Sequence, residues 1–371
     1  MDTRTTNFTT IPQLLSSQLI QSPRGVNAFD AFSVPTVYNW SIGVQRELPW
    51  KFVADVAYVG NKSTHISTTI PINDVPYGTT RVDLNPQNAD PTQNNTVAKD
   101  TDYLRPYRGY GGISLRQWRG YADYHSIQVS LNRRLSNGLA FGVAYTGAKR
   151  KQITNFDPFL PVADNFDRNY TYNNSRPHNL VINYNYEIPG LSQHMNDNAI
   201  AKGVFDGWQI SGITTMQSGQ HSGFSYGFTG APYNDMTGGP GGSRVNVVCD
   251  PNLPRSERTF ERQFKTECIK PAGGPNDPYY LGTSTNDEWI ALGYINHDIT
   301  LFKNFAMPSR KTLQIRIELY NAFNTTQYSG VDTGAVFNYA TGEQTDTQFG
   351  RVTGTRGNSA RVIQLGARFT F

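Results

Sequence analysis

The sequence has little charge and no long apolar run. Charged residues make up 17% of the 371 residues and hydrophobic residues 37%, against roughly 25% and roughly 45–50% in ordinary soluble domains. Nowhere does the chain reach the run of about 18 apolar residues that would suggest a transmembrane helix. Helix bundles and coiled coils are disfavoured as well, because those folds are rich in Ala, Leu, Glu and Lys.

Motifs for catalysis, metal binding and nucleic-acid binding are also lacking. The formal net charge is only +4, and the basic residues are scattered, so the sequence does not predict a nucleic-acid partner. The six histidines show no metal-ligand spacing, and there is no nucleophile motif or phosphate-binding loop. We therefore expect neither an enzyme activity nor a cofactor or metal site.

Cysteine is scarce, with Cys249 and Cys268 as its two occurrences. Both lie in one Pro- and Gly-rich region, and they lack the C-x-x-C spacing of zinc sites. We predict a disulfide that closes a loop in an oxidising compartment. Two buried or free thiols are the alternative.

Aromatic residues and alternating segments are what the sequence does have. Its 21 Tyr and 20 Phe argue against disorder, because disordered chains are poor in aromatics. Nine segments alternate with a period of two, as strands with one apolar face do. They span residues 36–48, 51–61, 124–135, 139–150, 178–189, 207–219, 297–306, 313–323 and 361–371.

The connections between these segments alternate between short and long. Tight turns are predicted at 48–51, 136–138 and 307–310, an intermediate connection at 189–206, and long loops at 62–122, 151–177, 220–293 and 325–359. Short turns at one rim and long loops at the other are typical of outer-membrane β-barrels. We therefore predict an all-β, antiparallel transmembrane β-barrel segment with long extracellular loops and short periplasmic turns, in contact with outer-membrane lipid. A soluble β-sandwich shows the same alternation and is the alternative.

Several motifs, in a fixed order, carry a resemblance to a known family. They are YNWSIGVQREL at 38–48, VAYVG at 56–60, NYNYEIP at 183–189, GWQISGI at 207–213, QSG at 217–219, LFKNF at 301–305, ELYNAFN at 318–324 and QLGARFTF at 364–371. Together they resemble the TonB-dependent outer-membrane transporters of the Oar-like kind. The resemblance implies a barrel of about 22 strands, an N-terminal plug that fills it, and a short periplasmic motif that contacts TonB.

The front of the chain departs from that pattern. We predict nine or ten strands, with no plug and no TonB-contacting segment, and the N-terminus is not a signal peptide. Single-chain bacterial barrels have even strand numbers. We therefore expect 1–35 to be an extracellular loop or disordered start, and 36–371 to be the C-terminal part of the barrel, from a truncated or split gene. An undetected strand within 1–35 is the alternative.

Two groups of residues near the C-terminus are assigned roles. In the family, a terminal Phe preceded by alternating apolar residues is the signal for the outer-membrane assembly machinery. The resemblance gives that role here to Phe371, Phe369 and Leu365. A second group, Arg316, Glu318 and Arg368, lies on the polar face of its strands, and we predict that it forms a lumen network which faces the plug in a complete barrel.

The leading functional hypothesis is a transporter barrel segment that takes up a ligand captured by loops 62–122 and 220–293. The candidates for stacking on a sugar or another flat ligand are Tyr103, Tyr107, Tyr110 and Trp118, with packing between loops as the alternative. Such a segment would need the remaining barrel half and plug as partners, and would reach TonB only through that missing segment. A small stand-alone barrel or adhesin is the second hypothesis, and a soluble carbohydrate-binding β-sandwich the third.

Overall fold

One large antiparallel sheet dominates the computed structural model, which describes residues 25–153, 176–190, 192, 199–231, 237–239, 244–273, 282–308, 311–357 and 359–371. Its long strands are β2 (Thr36–Leu48), β3 (Phe52–Pro71), β4 (Ile113–Ser136), β5 (Leu139–Ile153), β6 (His178–Glu187), β7 (Trp208–Gln217), β13 (Tyr294–Met307), β14 (Lys311–Tyr320) and β18 (Val362–Thr370), and a short β1 (Val26–Phe29) joins them. Each long strand pairs antiparallel with the next. The predicted nine-stranded segment is confirmed.

Shorter elements lie between the long strands. The strands are β8 (His221–Ser222), β9 (Ser225–Thr229), β10 (Asn246–Val247), β11 (Ile269–Lys270), β12 (Trp289–Ile290), β15 (Tyr328–Val331), β16 (Gly334–Asn338) and β17 (Val352–Thr355). The helices are α1 (Thr101–Leu104) and α2 (Ala199–Phe205), with single 3₁₀ turns at Pro49–Lys51, Pro86–Asn88, Pro91–Gln93, Arg255–Glu257 and Thr266–Cys268. No helix in the described ranges is both long and apolar enough to span a membrane.

Two strands extend well beyond their predicted ends. β3 continues to Pro71 and β4 begins at Ile113, so the loop predicted at 62–122 is confined to 72–112. Register shifts between Ser63 and Ile66 and between Ile66 and Thr68 mark β-bulges in this pair. A bulge places two residues opposite one and so breaks the period of two, which explains why the sequence pattern ended too early.

The segment predicted as a loop or disordered start contains a strand. Val26–Phe29 pairs in parallel with Ile113–Arg116 of β4, whose other neighbour β5 ends at Ile153. β1 therefore continues the edge of β4 beyond the end of β5. These four residues therefore form a short strand within the segment expected to be an extracellular loop or disordered start, and residues 1–24 lie outside the described ranges.

The register collects apolar side chains on one face of the sheet. From β6 to β18, successive cross-strand neighbours are Tyr186, Ile210, Leu301, Ile317 and Leu365, and from β2 to β5 they are Val44, Val56, Val129 and Tyr145. Val44 is 70% exposed and Leu365 74% exposed. No second layer of described residues covers this outward face, so the structure excludes the β-sandwich alternative.

The opposite face is polar. Its corresponding row runs through Asn185, Ser211, Thr300, Glu318 and Gln364. An apolar outer face and a polar inner face are the pattern of a barrel with a polar lumen in a membrane.

The apolar band has the same length on β6 and on β13. On β6, His178 near the long-loop rim and Tyr186 near the short-turn rim are eight residues apart. On β13, His297 and Phe305 have the same separation. At about 3.3 Å per residue the band measures roughly 26 Å along a strand, or about 20 Å at a tilt near 40°. The side chains at the two ends of the band extend it further along the membrane normal. This brings its length close to the roughly 25 Å apolar height of outer-membrane barrels.

Both ends of the sheet are open. Within the described residues β2 pairs only with β3, and β18 only with β14. β2 is exposed along nearly its whole length. β2 and β18 are the first and the ninth strand of a series in which each strand is antiparallel to the next. The two edge strands therefore run in the same direction.

Candidate functional site

The short turns lie at one rim of the sheet and the long loops at the other. At the short-turn rim, β2 and β3 are joined by Pro49–Lys51, and β4 and β5 by Asn137–Gly138, whose φ angles are 51° and 76°. The Asn-Gly pair suits this turn because both positions require the left-handed region. Counting along the chain, with the connection between β5 and β6 as the second, the first, third and fourth long connections are 72–112, 218–293 and 321–361; they leave the opposite rim, and we call their described residues the loop assembly.

A hydrophobic core lies in the loop assembly. Its buried members are Val245, Phe264, Cys268, Ile269, Trp289, Ala335, Phe337 and Phe349. The Phe264 ring lies 4.9 Å from the Trp289 ring and 5.1 Å from the Phe349 ring, centre to centre. Two loops are joined directly, because β9 of the third connection pairs in parallel with β16 of the fourth. These loops form a packed unit of their own.

Cys249 and Cys268 form a disulfide at the margin of this core, with their Cα atoms 5.0 Å apart. Next to it, the Asp250 carboxylate accepts hydrogen bonds from the backbone and side-chain amides of Asn252, both at 2.9 Å. These two bonds lower the pKa of Asp250, because they favour the charged carboxylate.

The first long loop is organised by one buried amide. Asn73 is fully buried, and its side-chain nitrogen donates to the carbonyls of Tyr107, Tyr110 and Gly111 at 3.1, 3.3 and 2.7 Å. Its side-chain oxygen accepts from the Tyr107 amide at 2.7 Å. Arg105 donates to the Asn73 carbonyl at 2.8 Å. The part of the loop that leads to β4 is therefore fixed to the part that leaves β3.

The first and third long connections meet. The Gly78 amide donates to the Thr237 carbonyl at 2.7 Å, and the Thr80 amide to the Gly238 carbonyl at 3.0 Å. These connections leave the sheet between different strand pairs, β3–β4 and β7–β13. Their contact therefore draws loops from separate parts of the rim together.

The four predicted stacking aromatics are only partly together. Tyr107 and Tyr110 share the Asn73 anchor, and Tyr103 lies in α1, where burial and then Asp100 and Asp102 raise the pKa of its hydroxyl. Trp118 is not in a loop, because it lies on β4, and its ring makes a T-shaped contact with Phe32 at 5.0 Å. Within the described ranges the four rings show no contact with one another.

Beneath the loop assembly, a cavity of about 840 Å³ lies against the inner face of β13, β14 and β18. Residues that line it include Tyr294, Asp298, Tyr320, Asn321, Gln327 and Arg356. The Arg356 guanidinium lies 4.9 Å from the centre of the Tyr294 ring. Burial lowers the pKa of neighbouring Arg176, and the positive charge of Arg356 lowers it further. Arg356 and the Tyr294 ring thus lie together in the cavity, and Arg176 is close enough to Arg356 for their charges to interact.

The next feature is the group of residues predicted to form a lumen network. Arg316 and Glu318 lie on the polar face of β14 as an ion pair, with Nε and Oε1 3.3 Å apart. The Arg316 side chain lies over Gly366 of β18, where a Cβ would come within 2.7 Å of its Nε. Arg368 is on the same face, opposite Gln314, but has no ion-pair partner among the described residues.

Of the predicted assembly residues, Leu365 and Phe369 are on the open edge strand β18, and Phe371 directly follows its end. Leu365, Phe369 and Phe371 are 74%, 51% and 93% exposed, and the two phenylalanine rings stack 6.0 Å apart. They face outward with their backbone unpaired on one side. In the part of the chain that the structure describes, no group of three His, Cys, Asp or Glu residues is placed to hold a metal ion.

Sequence reasoning missed the loop core and the contacts between loops. Its members are dispersed between Phe224 and Phe349, and its strands are only two to five residues long. Such short strands carry almost no periodicity. A usable signal was present in the alternation of Phe224, Tyr226 and Phe228, which resembles a strand inside a supposed loop.

Comparison with known proteins identifies the family. The outer membrane beta barrel domain matches residues 2–364. The outer membrane transporter YddB from Escherichia coli is similar over 94% of this chain, with 10% identity and a TM-score of 0.41. The FrpB iron transporter from Neisseria meningitidis is similar over 92%, with 13% identity and a TM-score of 0.39.

The chain covers 34% and 32% of those two transporters, about a third of their length. None of the curated proteins matches it. The chain belongs to the outer membrane β-barrel domain family and is located in the bacterial outer membrane. The long-loop rim is therefore extracellular and the short-turn rim periplasmic.

Proposed function

From this family membership we propose that the chain forms part of the barrel of a TonB-dependent transporter of the Oar-like kind and helps to take up a ligand. The open nine-stranded sheet carries the proposal. In hydrocarbon an unpaired strand edge leaves backbone amides and carbonyls unsatisfied, so a stable barrel must close. Transport is a non-enzymatic role in which this chain supplies wall and loops.

The two edges support the proposal that further strands complete the barrel. β2 and β18 run in the same direction, so closing the sheet on itself would require a parallel pair. Single-chain bacterial barrels are instead antiparallel with an even number of strands. We propose that an odd number of additional strands joins β2 to β18. The plug and the segment that contacts TonB would come from the same source.

Ligand capture is assigned to the extracellular loop assembly. The packed loops form a frame at this rim, and the cavity beneath them is lined by Arg356 and Tyr294, with the charge of Arg176 close to Arg356. Cations with an aromatic ring suit a ligand that carries a negative charge on a flat group. Tyr103, Tyr107 and Tyr110, in the connection between β3 and β4, remain proposed stacking residues.

The remaining residues have proposed partners. Leu365, Phe369 and Phe371, exposed on the edge strand, are proposed to be recognised by the outer-membrane assembly machinery, because an unpaired apolar edge is a template for strand addition. Arg316, Glu318 and Arg368 are proposed to face the plug.

Cross-linking in native outer membranes tests the open edges. Ile42→Cys, Val44→Cys or Arg46→Cys on β2 is combined with Ile363→Cys on β18, and the membranes are treated with a short bis-maleimide. The matched control is the Val44→Cys and Val56→Cys pair, whose residues are direct neighbours. We expect the control pair to cross-link and the β2–β18 pairs not to. A link between β2 and β18 within one chain would instead establish a small stand-alone barrel or adhesin.

Uptake is tested separately. Full chain reconstituted alone into liposomes is expected to show no energy-dependent import, because the plug and the coupling segment are supplied from elsewhere. Import by the chain alone would contradict the proposal even if the cross-linking result agreed with it.

A further inference from the structure

A basic cluster lies on the outward face of β3 and β4 at the extracellular end of the apolar band. Lys62 is the cross-strand neighbour of Asp123, and Lys151 lies opposite Asp123 on its other side. One row nearer the membrane, Lys149 lies opposite His125. Residues in these rows share the face that carries Val44 and Ile127 below them, so their side chains project toward the lipid side of the wall.

The bulges in β3 and β4 open a cavity within this cluster. They insert an extra residue in each strand, and His65 adopts a φ of 57°, in the left-handed region. Such a conformation is costly for a residue other than glycine and tends to occur at functional sites. The resulting cavity measures about 630 Å³. Lining residues include Lys62, His65, Trp118, Arg119, Tyr121 and Asp123.

The height of the cavity matches the headgroup region of the outer leaflet. Phe52 begins β3 at the periplasmic rim and Lys62 follows ten residues later. Ten residues rise roughly 33 Å along a strand, or about 25 Å at a tilt near 40°, which is the apolar height of such barrels. Trp and Tyr prefer this interface, and lysine side chains reach from apolar surface to polar headgroups there.

We propose that this outward cavity binds the phosphorylated headgroup of an outer-leaflet lipid. The Arg119 guanidinium suits a phosphate because it offers paired donors, and Lys62 adds a second cation in the same cavity. Lys149 and Lys151 flank the site, where basic side chains attract anionic lipid. Among the described residues that line the cavity, Asp123 is the single carboxylate, and in the register it lies between Lys62 and Lys151.

The surface below the cavity favours a lipid over a free phosphate. Tyr58 and Ile127 are neighbours on the outward face, two rows below Lys62, and are 36% and 54% exposed. Acyl chains attached to a bound headgroup would lie along them. The Trp118 and Tyr121 rings, which line the cavity, would lie between the bound headgroup and the acyl chains.

Binding to purified full chain in a detergent with an uncharged headgroup tests the proposal. The probes are short-chain phosphatidate, the matching diacylglycerol and inorganic phosphate, with bound species counted by native mass spectrometry. We expect phosphatidate to bind most tightly. The Lys62→Gln/Arg119→Gln double variant should bind it at least tenfold more weakly, whereas Arg119→Lys, which keeps the charge but loses the paired donors, should bind with intermediate affinity.

The matched control is Arg133→Gln, which removes an outward-facing cation at the opposite rim and should leave binding unchanged. Circular dichroism of each variant verifies that the sheet is retained. Unaltered phosphatidate binding in the double variant would overturn the proposal. So would equal affinity for diacylglycerol, which indicates apolar adsorption, or for inorganic phosphate, which indicates a simple anion site. The proposal depends on the membrane location alone, so failure of uptake would leave it standing.

Discussion

Leu365 on β18 lies directly opposite Ile317 on β14, and both side chains point away from the polar face, exposed to 74% and 37%. In water such a pair would be an exposed apolar patch. In a bilayer it is the surface that the surrounding acyl chains require. The relationship therefore gives a direct test of which face meets lipid.

Leu365→Arg is expected to destabilise the folded chain by about 2–4 kcal/mol, the cost of a cation near the middle of the lipid face. Gln364→Arg is the matched control, since it places the same charge one residue away on the polar face. Urea unfolding in lipid vesicles gives both free energies. Equal costs for the two variants would mean that Leu365 does not face acyl chains.

The Cys249–Cys268 disulfide is expected to stabilise the loop assembly and leave the sheet unaffected. It closes a 19-residue separation, for which roughly 2–4 kcal/mol is typical. A Cys249→Ser/Cys268→Ser variant should be cleaved by protease in 244–273 much faster than the wild type. The membrane-spanning strands should remain protected in both. Equal cleavage rates would show that the core holds these residues without the bond.

Acidification is expected to loosen the loop assembly through His221 on β8. Burial lowers the pKa of this imidazole below its ordinary 6.5, with Asp287 partly opposing and Lys149 adding to the effect. Below about pH 6.5 the unfolded loop takes up a proton that the folded loop does not, so stability is full above that pH and is lost as pH falls toward the folded pKa. Hydrogen exchange of 221–229 should accelerate between about pH 7 and pH 5.5, after correction for intrinsic rates.

His221→Gln is the control for that experiment. This side chain does not titrate, so the pH-dependent part of the acceleration should disappear even if the loop is uniformly less stable. Persistence of the same pH dependence in the variant would assign it to another group.

How far the sequence determines this structure depends on the face each residue occupies. Ile315, Ile317 and Leu319 on β14 alternate because one side meets lipid and the other the lumen, so the strand could be predicted. Past the apolar band that contrast disappears, and the bulge at His65 shifts the phase. The sequence pattern therefore predicts a loop where the outer ends of β3 and β4, including Trp118, continue as strands.

The candidate site was less accessible to the same reasoning. Arg316 and Glu318 are two residues apart on one strand, so their shared face follows from the period alone. Phe228 and Phe337 are distant in sequence and come together because β9 pairs with β16. Contacts between loops depend on tertiary pairings that no local pattern encodes.

Asn73 offers the sharpest test of how the first long loop is held. Its amide makes four hydrogen bonds to residues 107–111 from a fully buried position. Asn73→Ala leaves the buried backbone groups without partners, which costs about 1–3 kcal/mol for each one that water cannot reach. Hydrogen exchange should rise at least tenfold in 105–111, where Tyr107 and Tyr110 are displayed, and remain unchanged in β3 and β4. Gln93→Ala, an exposed amide in the same loop, should change neither region. If 105–111 stays protected in Asn73→Ala, the contacts of Gly78 and Thr80 with the third connection hold the loop instead.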